Sequence, residues 1–410
     1  MLIERARCRA MALPVIRWVV FVSGALVGSL WGHPSALAQC ANPTFNFGGF
    51  IVTPSGGRNV VPTASPLVSI MNTVNTAFLT NTTSFVSASA ATNANQPSGG
   101  VWARAIAGTV DSKAETTTVV VPGSFDLGAG IGFASGTQNC RQTNHQDYAG
   151  FQVGADLATL NIGSAGLNWH FGVTGGSLTA NAEDTTPAGP NTAAGDLRSH
   201  FDVPFIGLYT AVTQGNFFAD AQVRWDFYQS NSSSKVYDFS GVQNEARGIT
   251  FAGSAGYKMP IGPNWFFEPS VGGSWTRLSV DTVALVDRDG IGGILRVNDI
   301  ESILGRVSLR LGANFAEGIY IWQPFVAVSL IHEFAGDVKS KTTFVDPSNF
   351  FWPGMEFESS TERMGTYGQI GVGTAIVVGN TGWLGYGRGD VKFGDNIHGI
   401  GFNAGLRYQW

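Results

Sequence analysis

The side chains that could do chemistry are few in this chain, and they stand far apart. His145, His170, His200, His332 and His398 are scattered over loops and alternating stretches, without the short spacing that brings imidazoles onto one metal ion. The sequence contains no G-x-S-x-G elbow, no H-E-x-x-H helix and no phosphate loop. An activated serine, a zinc-bound water and a cradled nucleotide therefore have no candidate residues, and neither a catalytic site nor a cofactor is expected. Asp287-Arg288-Asp289-Gly290 opens like a calcium loop but lacks the later acidic ligand, so it reads as a solvated external loop. What remains is a set of charges at alternating positions: Arg104, Asp156, Asp220, Arg224, Glu268, Arg306, Arg310, Arg388, Asp390 and Arg407. Such a set could line a conducting passage. More of it is expected to pair internally, because charges held out of bulk water need partners.

The elements that position these charges have a period of two. At the C-terminus Ile400, Phe402, Ala404, Leu406, Tyr408 and Trp410 fall on one parity, while Gly399, Gly401, Asn403, Gly405, Arg407 and Gln409 fall on the other. The same alternation sets Ala219, Ala221, Val223, Trp225 and Phe227 against Asp220, Gln222, Arg224 and Asp226, and Val307, Leu309 and Leu311 against Arg306, Ser308 and Arg310. In a soluble sandwich the apolar parity would face a core. In an outer-membrane barrel it faces lipid, and the charged parity lines the lumen; a charge on the lipid face would cost roughly 2–4 kcal/mol at mid-membrane.

Recurrence decides between the two. Beyond Gly99, alternation marks about twelve strands, near 100–110, 147–158, 165–178, 200–213, 216–230, 246–258, 264–279, 302–313, 319–334, 361–377, 382–392 and 397–410. Their connections alternate between tight turns (161–164, 213–216, 260–263, 314–318, 379–381) and long loops (111–146, 179–199, 231–245, 280–301, 335–360). A barrel with one periplasmic and one external rim has this asymmetry, and a sandwich gives no reason for it. Trp169, Phe217, Trp265, Trp322, Trp383 and Trp410 all fall at the tight-turn rim, where an interface favours aromatics. Trp102 stands at the same height but shares parity with Arg104, which leaves the register of the first strand open. The fold class is thus all-β, a transmembrane antiparallel barrel.

Composition agrees: 13% charged residues, 12% aromatics and 54 glycines suit a glycine-rich β-protein, and a net charge of −5 argues against a nucleic-acid partner. Arg5, Arg7, Arg9 and Arg17 precede an apolar run, and Ala36-Leu37-Ala38 supplies a small-x-small cleavage site, so residues 1–38 read as a signal peptide for the Sec translocon. Residues 39–65 show little pattern. From Pro66 the period becomes helical, with Leu67, Ile70, Val74 and Phe78 opposite Asn72, Asn75, Thr76 and Asn81, behind a Ser65-Pro66 start. Residues 66–99 are therefore assigned to a helix and linker, and 100–410 to the barrel. Cys40 and Cys140 remain after signal removal, and in an exporting compartment they are expected to pair.

The region 100–410 resembles the translocator barrel of autotransporters, the type V secretion family. The similar features are Val101-Trp102-Ala103-Arg104, Gly150-Phe151-Gln152-Val153-Gly154-Ala155-Asp156, Gly207-Leu208-Tyr209 with Phe218-Ala219-Asp220, Phe267-Glu268-Pro269, Gly305-Arg306-Val307, Gln323-Pro324-Phe325 and the closing Gly405-Leu406-Arg407-Tyr408-Gln409-Trp410, in that order. The resemblance implies twelve strands in the outer membrane of a Gram-negative bacterium and a helix, residues 66–87, threading the pore. It also implies insertion by the barrel-assembly machinery, which reads a terminal aromatic; Phe402, Tyr408 and Trp410 are the residues assigned to that signal. Residues 39–65 take the place of the exported passenger, and because Asn72, Asn75 and Asn81 are isolated, no self-cleavage is expected. The expected function is translocation and display of the chain's own N-terminal segment. The alternatives are an adhesin or structural protein whose external loops bind a host or neighbouring cell, and a diffusion pore.

Overall fold

The structure, a computed structural model, describes residues 45–47, 50–52, 64–79, 93–120, 137–186, 195–235, 239–286, 292–345 and 355–410. The signal-peptide reading of 1–38, Cys40, the calcium-like Asp287–Gly290 stretch and the continuation toward Ser87 lie outside them. Ahead of the barrel, Phe45–Phe47 pairs with Phe50–Val52 as a small antiparallel ribbon.

Twelve strands form a closed antiparallel ring: β1 (Gln96–Val120), β2 (Thr137–Ile162), β3 (Leu167–Thr186), β4 (Gly195–Gln214), β5 (Phe217–Ser234), β6 (Phe239–Tyr257), β7 (Trp265–Val280), β8 (Ile300–Ala313), β9 (Tyr320–Glu333), β10 (Thr366–Val378), β11 (Trp383–Phe393) and β12 (Ile397–Gln409). Each pairs with the next. Closure comes from β12 against β1, in register from Ile397 opposite Ser112 to Gln409 opposite Gly100. Among the described residues there is one helix, α1 (Ser65–Phe78), and no helix long and apolar enough to cross a membrane. The crossing is made by strands. A closed ring satisfies every ladder N–H and C=O without an exposed edge, as a hydrocarbon surrounding demands.

The outside of the ring is apolar over a band that includes Val153, Leu157, Phe171, Val173, Ile206, Leu208, Val307, Leu309, Val326, Val328, Val372 and Phe402, all exposed. Tight turns at the periplasmic rim use left-handed backbone at Asn161 (φ 51), Gly163 (φ 59) and Ser164 (φ 63), which short polar side chains and glycine tolerate.

At the other rim the strands run far past their expected ends. β1 and β2 stay paired up to Val119 opposite Thr137, so much of the 111–146 segment, expected as a loop, is sheet. Two further ribbons extend the wall above β7 to β12: Val283–Val286 with Gly292–Val297, and Val338–Val345 with Met355–Thr361. Gly292–Val297 pairs with the second ribbon, whose Met355–Thr361 strand pairs with β1 at 116–120. On the far side, Asp281 N–H donates to Glu245 O at 2.9 Å. The β-branched run Thr116–Val119 has the propensity for such a strand.

The lumen is not polar throughout. In the external half, Leu178, Ala180, Phe201, Val203, Tyr228, Leu278, Val297 and Ile300 point inward and pack around α1 with Ile70, Met71, Val74 and Phe78. Outside them at the same height stand His145, Asp147, Asn181, Arg198 and His200. Above the lipid the wall thus faces water with its polar parity and encloses an apolar core, the reverse of its arrangement within the membrane.

Candidate functional site: the lumen and its helix

α1 is built from residues that would not hold a helix alone. Its Asn72, Thr73, Asn75 and Thr76 are poor helix formers, and it carries no charge in its first or last turn. Packing supplies what propensity does not. Ile70, Met71, Val74 and Phe78 are almost wholly buried, each contributing about 1.5–3 kcal/mol of transfer free energy. The polar positions find partners on the wall. Gln146 Oε1 accepts from Ser69 Oγ at 3.1 Å and Thr73 Oγ1 at 2.9 Å. Thr276 Oγ1 donates to Asn75 Oδ1 at 3.1 Å, and Lys392 Nζ donates to Thr76 Oγ1 at 2.9 Å.

The N-terminal end differs from expectation. The N-cap is Ala64 rather than Ser65, with no side-chain cap; Ser65 lies within the first turn, and its hydroxyl faces Asp184 Oδ1 at 3.5 Å. At the other end the described helix reaches Phe78, with Leu79 as its C-cap; the expected continuation toward Ser87 lies outside the described residues. Its last carbonyl, Phe78 O, accepts from Gln222 Nε2 at 3.0 Å and Arg104 Nη2 at 3.4 Å, a cation where the helix dipole is negative. The Phe78 ring sits 4.6 Å from that of Phe205, and the Arg224 guanidinium lies 5.0 Å from its centroid.

Beside and below the helix end lie the charges singled out from the sequence, all on the inward parity. Arg224 pairs with Asp226 at 2.5 Å, and Asp226 also accepts from Thr250 Oγ1 at 2.8 Å. Arg388 pairs with Asp390 at 2.5 Å, Arg310 pairs with Glu268, and Asp220 accepts from Ser254. Arg104 donates to Gln152 Oε1 at 2.7 Å. Arg306 has a buried Nε without a hydrogen-bond partner.

Nearer the periplasmic rim a buried network crosses five consecutive strands. Arg407 on β12 grips Asp156 on β2 with two nitrogens, at 2.8 and 2.9 Å. Asp156 also meets His170 Nδ1 on β3 at 2.8 Å and accepts from Tyr209 OH on β4 at 2.8 Å. Trp102 on β1 donates its Nε1–H to Tyr209 at 2.7 Å. Trp102 therefore faces the lumen with Arg104, not the interface with the other tryptophans. Gly154 and Gly172 make room: a Cβ at 154 would lie 2.5 Å from the Trp102 ring, and one at 172 would lie 2.8 Å from Tyr209 Cζ. Asp226 was expected here from its parity, whereas His170, Tyr209, Trp102 and Lys392 belong to this interior without having been assigned to the lumen from the sequence. Their parity was the available signal.

The remaining expected residues lie at the surface. Trp169, Trp265, Trp322 and Trp383 are about half exposed at the periplasmic rim. Phe402 and Trp410 point outward, while the Tyr408 ring packs at a tilt against Trp383 with centroids 4.9 Å apart. Trp410 N–H donates to Gly99 O at 3.1 Å, joining the last residue to the start of β1. Cys140, on the external extension of β2, is disulfide-bonded to a partner outside the described residues. On the outer face His145 meets Asp111 at 2.7 Å, and that hydrogen bond raises its pKa above the usual imidazole value. Among the described residues no cluster of His, Cys, Asp and Glu could hold a metal ion.

A closed ring with lipid-facing apolar residues, ion pairs inside and a helix threaded through it defines the class of plugged outer-membrane barrels. The autotransporter β-domain family model matches residues 127–390, and the chain belongs to that family. It is 28% identical over 280 residues to the pertactin autotransporter of Bordetella parapertussis, covering 65% of this chain and 26% of that protein. It is 22% identical over 250 residues to the probable autotransporter YcgV of Escherichia coli, covering 59% of this chain and 22% of that one. The chain thus spans about a quarter of the length of these relatives. Among solved structures, the transport unit of AIDA-I from Escherichia coli matches with a TM-score of 0.58 at 14% identity, covering 85% of this chain and 99% of that one. The β-domain of the Bordetella autotransporter BrkA matches with a TM-score of 0.51 at 18% identity, covering 76% and 98%. These two likenesses concern the fold alone. The chain is an outer-membrane protein of a Gram-negative bacterium, a translocator domain with its long loops at the cell surface.

Proposed function

We propose that the barrel carries the segment preceding α1 to the cell surface and displays it there, the helix remaining in the pore. The direction of the helix supports this reading. Ser65 lies beside Asp184 on the long-loop side, Phe78 lies deeper in the lumen, and β1 then starts beside the tight turn after β2 at the periplasmic rim. A chain that runs inward along this path has its earlier residues outside. Insertion would rest on the assembly machinery and on folding of the strands, with no bound nucleotide; Phe402, Tyr408 and Trp410 are the proposed recognition residues.

The disulfide of Cys140 fits the same reading. The other cysteines of the chain are Cys8, within the proposed signal peptide, and Cys40. A Cys40–Cys140 bond would fasten the displayed segment to the outer wall. The test is an epitope inserted after Gly57, probed with antibody on intact cells, with a gel-mobility comparison before and after reduction. Labelling of intact cells and a shift on reduction are expected; labelling only after the outer membrane is permeabilised would overturn the proposal.

The tall external wall favours a second reading, an adhesin acting through residues 111–146 and 335–360. Removing those segments would then abolish attachment to a host or neighbouring cell, while leaving the epitope exposed. The diffusion-pore alternative has little support, since a buried helix and the Arg407–Asp156 network both obstruct the passage.

A further inference from the structure

Five neighbouring strands carry a row of ionisable side chains across their outer face, above the lipid. The ladder sets His398 of β12 opposite Asp111 of β1, Asp111 opposite His145 of β2, His145 opposite Glu183 of β3, and Glu183 opposite Arg198 of β4. Base and acid alternate at every step, and all five stand on the parity that faces water. Two of the steps are already contacts. His145 Nδ1 lies 2.7 Å from Asp111 Oδ1, and Arg198 Nη2 donates to Glu183 Oε1 at 3.1 Å. Opposite charges placed directly across a ladder stabilise a sheet. With neutral imidazoles the row holds a single ion pair, Arg198 with Glu183; with imidazolium at 145 and 398, all four steps join opposite charges.

The row crosses the closure seam near its outer end. The β12–β1 ladder finishes one residue farther out, at Ile397 opposite Ser112, and Lys113 N–H then donates to Asn396 O at 2.8 Å. Beyond that point β1 passes to the Met355–Thr361 ribbon, starting where Glu362 N–H donates to Glu115 O at 2.9 Å. Asp111 thus stands where the first strand exchanges one neighbour for another, and such ladder ends open more readily than their middles. The other charged groups on this face are accounted for. Asp147 lies 3.7 Å from His145 Nε2, and Arg141 stands opposite Glu115. Lys113 follows Asp111 on the same face, Asp395 belongs to the turn before β12, and His200 sits lower, 3.4 Å from Asp202.

We infer that this end of the seam is an acid-tightened latch: protonation of His145 and His398 completes the alternating row and holds β12, β1 and β2 together at the outer rim. The hydrogen bond to Asp111 raises the pKa of His145 above the usual imidazole value, against a smaller opposing effect of partial burial, and the charges of Asp111, Asp147 and Glu183 add to the rise. The folded chain therefore holds this proton more tightly than the unfolded chain, whose imidazole titrates near ~6.5. The stabilisation is fully present below that value and is lost as pH rises through the higher folded one. Each exposed pair of this kind shifts a local opening equilibrium by a factor of roughly 1.4–5.

The test is amide hydrogen exchange of the full chain folded in detergent, read on peptides covering 108–115 and 396–401 and expressed as protection factors, which removes the intrinsic pH dependence of exchange. Every chain carries Asp184→Asn, so that the buried carboxyl on the inner face of β3 contributes nothing, and each is checked for the heat-modifiable gel shift of a folded barrel. Protection at the seam is expected to be about threefold or more higher at pH 6 than at pH 8.5. Adding His145→Gln with His398→Gln should remove the difference by lowering protection at pH 6. Adding His145→Lys with His398→Lys should remove it the other way, by keeping protection at pH 8.5 near its value at pH 6. Equal protection at the two pH values in the parent, or lysine variants no better protected at pH 8.5 than glutamine ones, would overturn the inference. None of these readings bears on whether the N-terminal epitope reaches the surface.

Discussion

Arg407 and Asp156 join the last strand to the second across the seam of the ring, with side chains almost completely removed from solvent. A buried pair of this kind adds little compared with an apolar substitute, but breaking it is expensive, about 3–5 kcal/mol, because the survivor keeps its charge in a poor solvent. Asp156→Ala should therefore lower the temperature at which the folded form unfolds in SDS, followed by gel mobility. The double change Asp156→Leu with Arg407→Leu should lower it less. Equal losses would mean that the network contributes through shape alone.

Asp184 is the other residue with a readable consequence. It lies above the lipid band, where its neighbours on the ladder, Thr143 to His145 of β2, belong to the external extension. Burial pushes its carboxyl up to about 7, against hydrogen bonds from Asn144 and Ser65 that pull the other way. The unfolded carboxyl titrates near ~3.9. Between those values the folded form holds the extra proton, so the stability of this region falls as pH rises from about 4 to about 7 and levels off above. Protease accessibility of α1 should be greater at pH 8 than at pH 5, and Asp184→Asn should remove the difference. An unchanged pH dependence in Asp184→Asn would exclude this carboxyl as its source.

At the scale of elements, the helix is an insert held by its surroundings. Its apolar side was legible from the spacing of Leu67, Ile70, Val74 and Phe78, and its polar side was legible as polar. The sequence could not tell which wall residues would answer each Asn and Thr, because Gln146, Thr276, Tyr367 and Lys392 come from strands distant in the chain. Removing residues 65–78 empties the external half of the lumen of its packed core. Single-channel conductance should rise, and a value equal to that of the full chain would refute the idea that α1 occludes the path. The strands themselves were found by alternation wherever they cross lipid. Their outer extensions were missed for a physical reason visible in β4. There, Ile206 and Leu208 are exposed on the even parity, whereas Phe201, Val203 and Phe205 are buried on the odd one. The apolar parity changes over at the lipid surface, so a period-two pattern followed from below loses phase at the height where the solvent changes.

For the whole molecule, ring closure, the periplasmic aromatics and the inward charges all follow from one demand, that hydrocarbon meet no unsatisfied polar group. Those features were readable because every crossing strand obeys the same rule. The external ribbons and the Trp102 network were not, since each depends on which strands become neighbours after closure. The tall outer wall is made in two ways, by long strands on one side and by separate ribbons above β7 to β12 on the other. β2 has 26 residues and β11 has 11, whereas roughly 9–11 tilted residues suffice to cross a bilayer. On the β2 side the barrel strands themselves therefore stand well clear of the lipid headgroups as continuous hydrogen-bonded sheet, and the ribbons carry that sheet on around to β1. A phage or an antibody arriving from outside first meets this rigid parapet, so the epitopes it offers are assembled from several strands and would vanish when the protein is boiled.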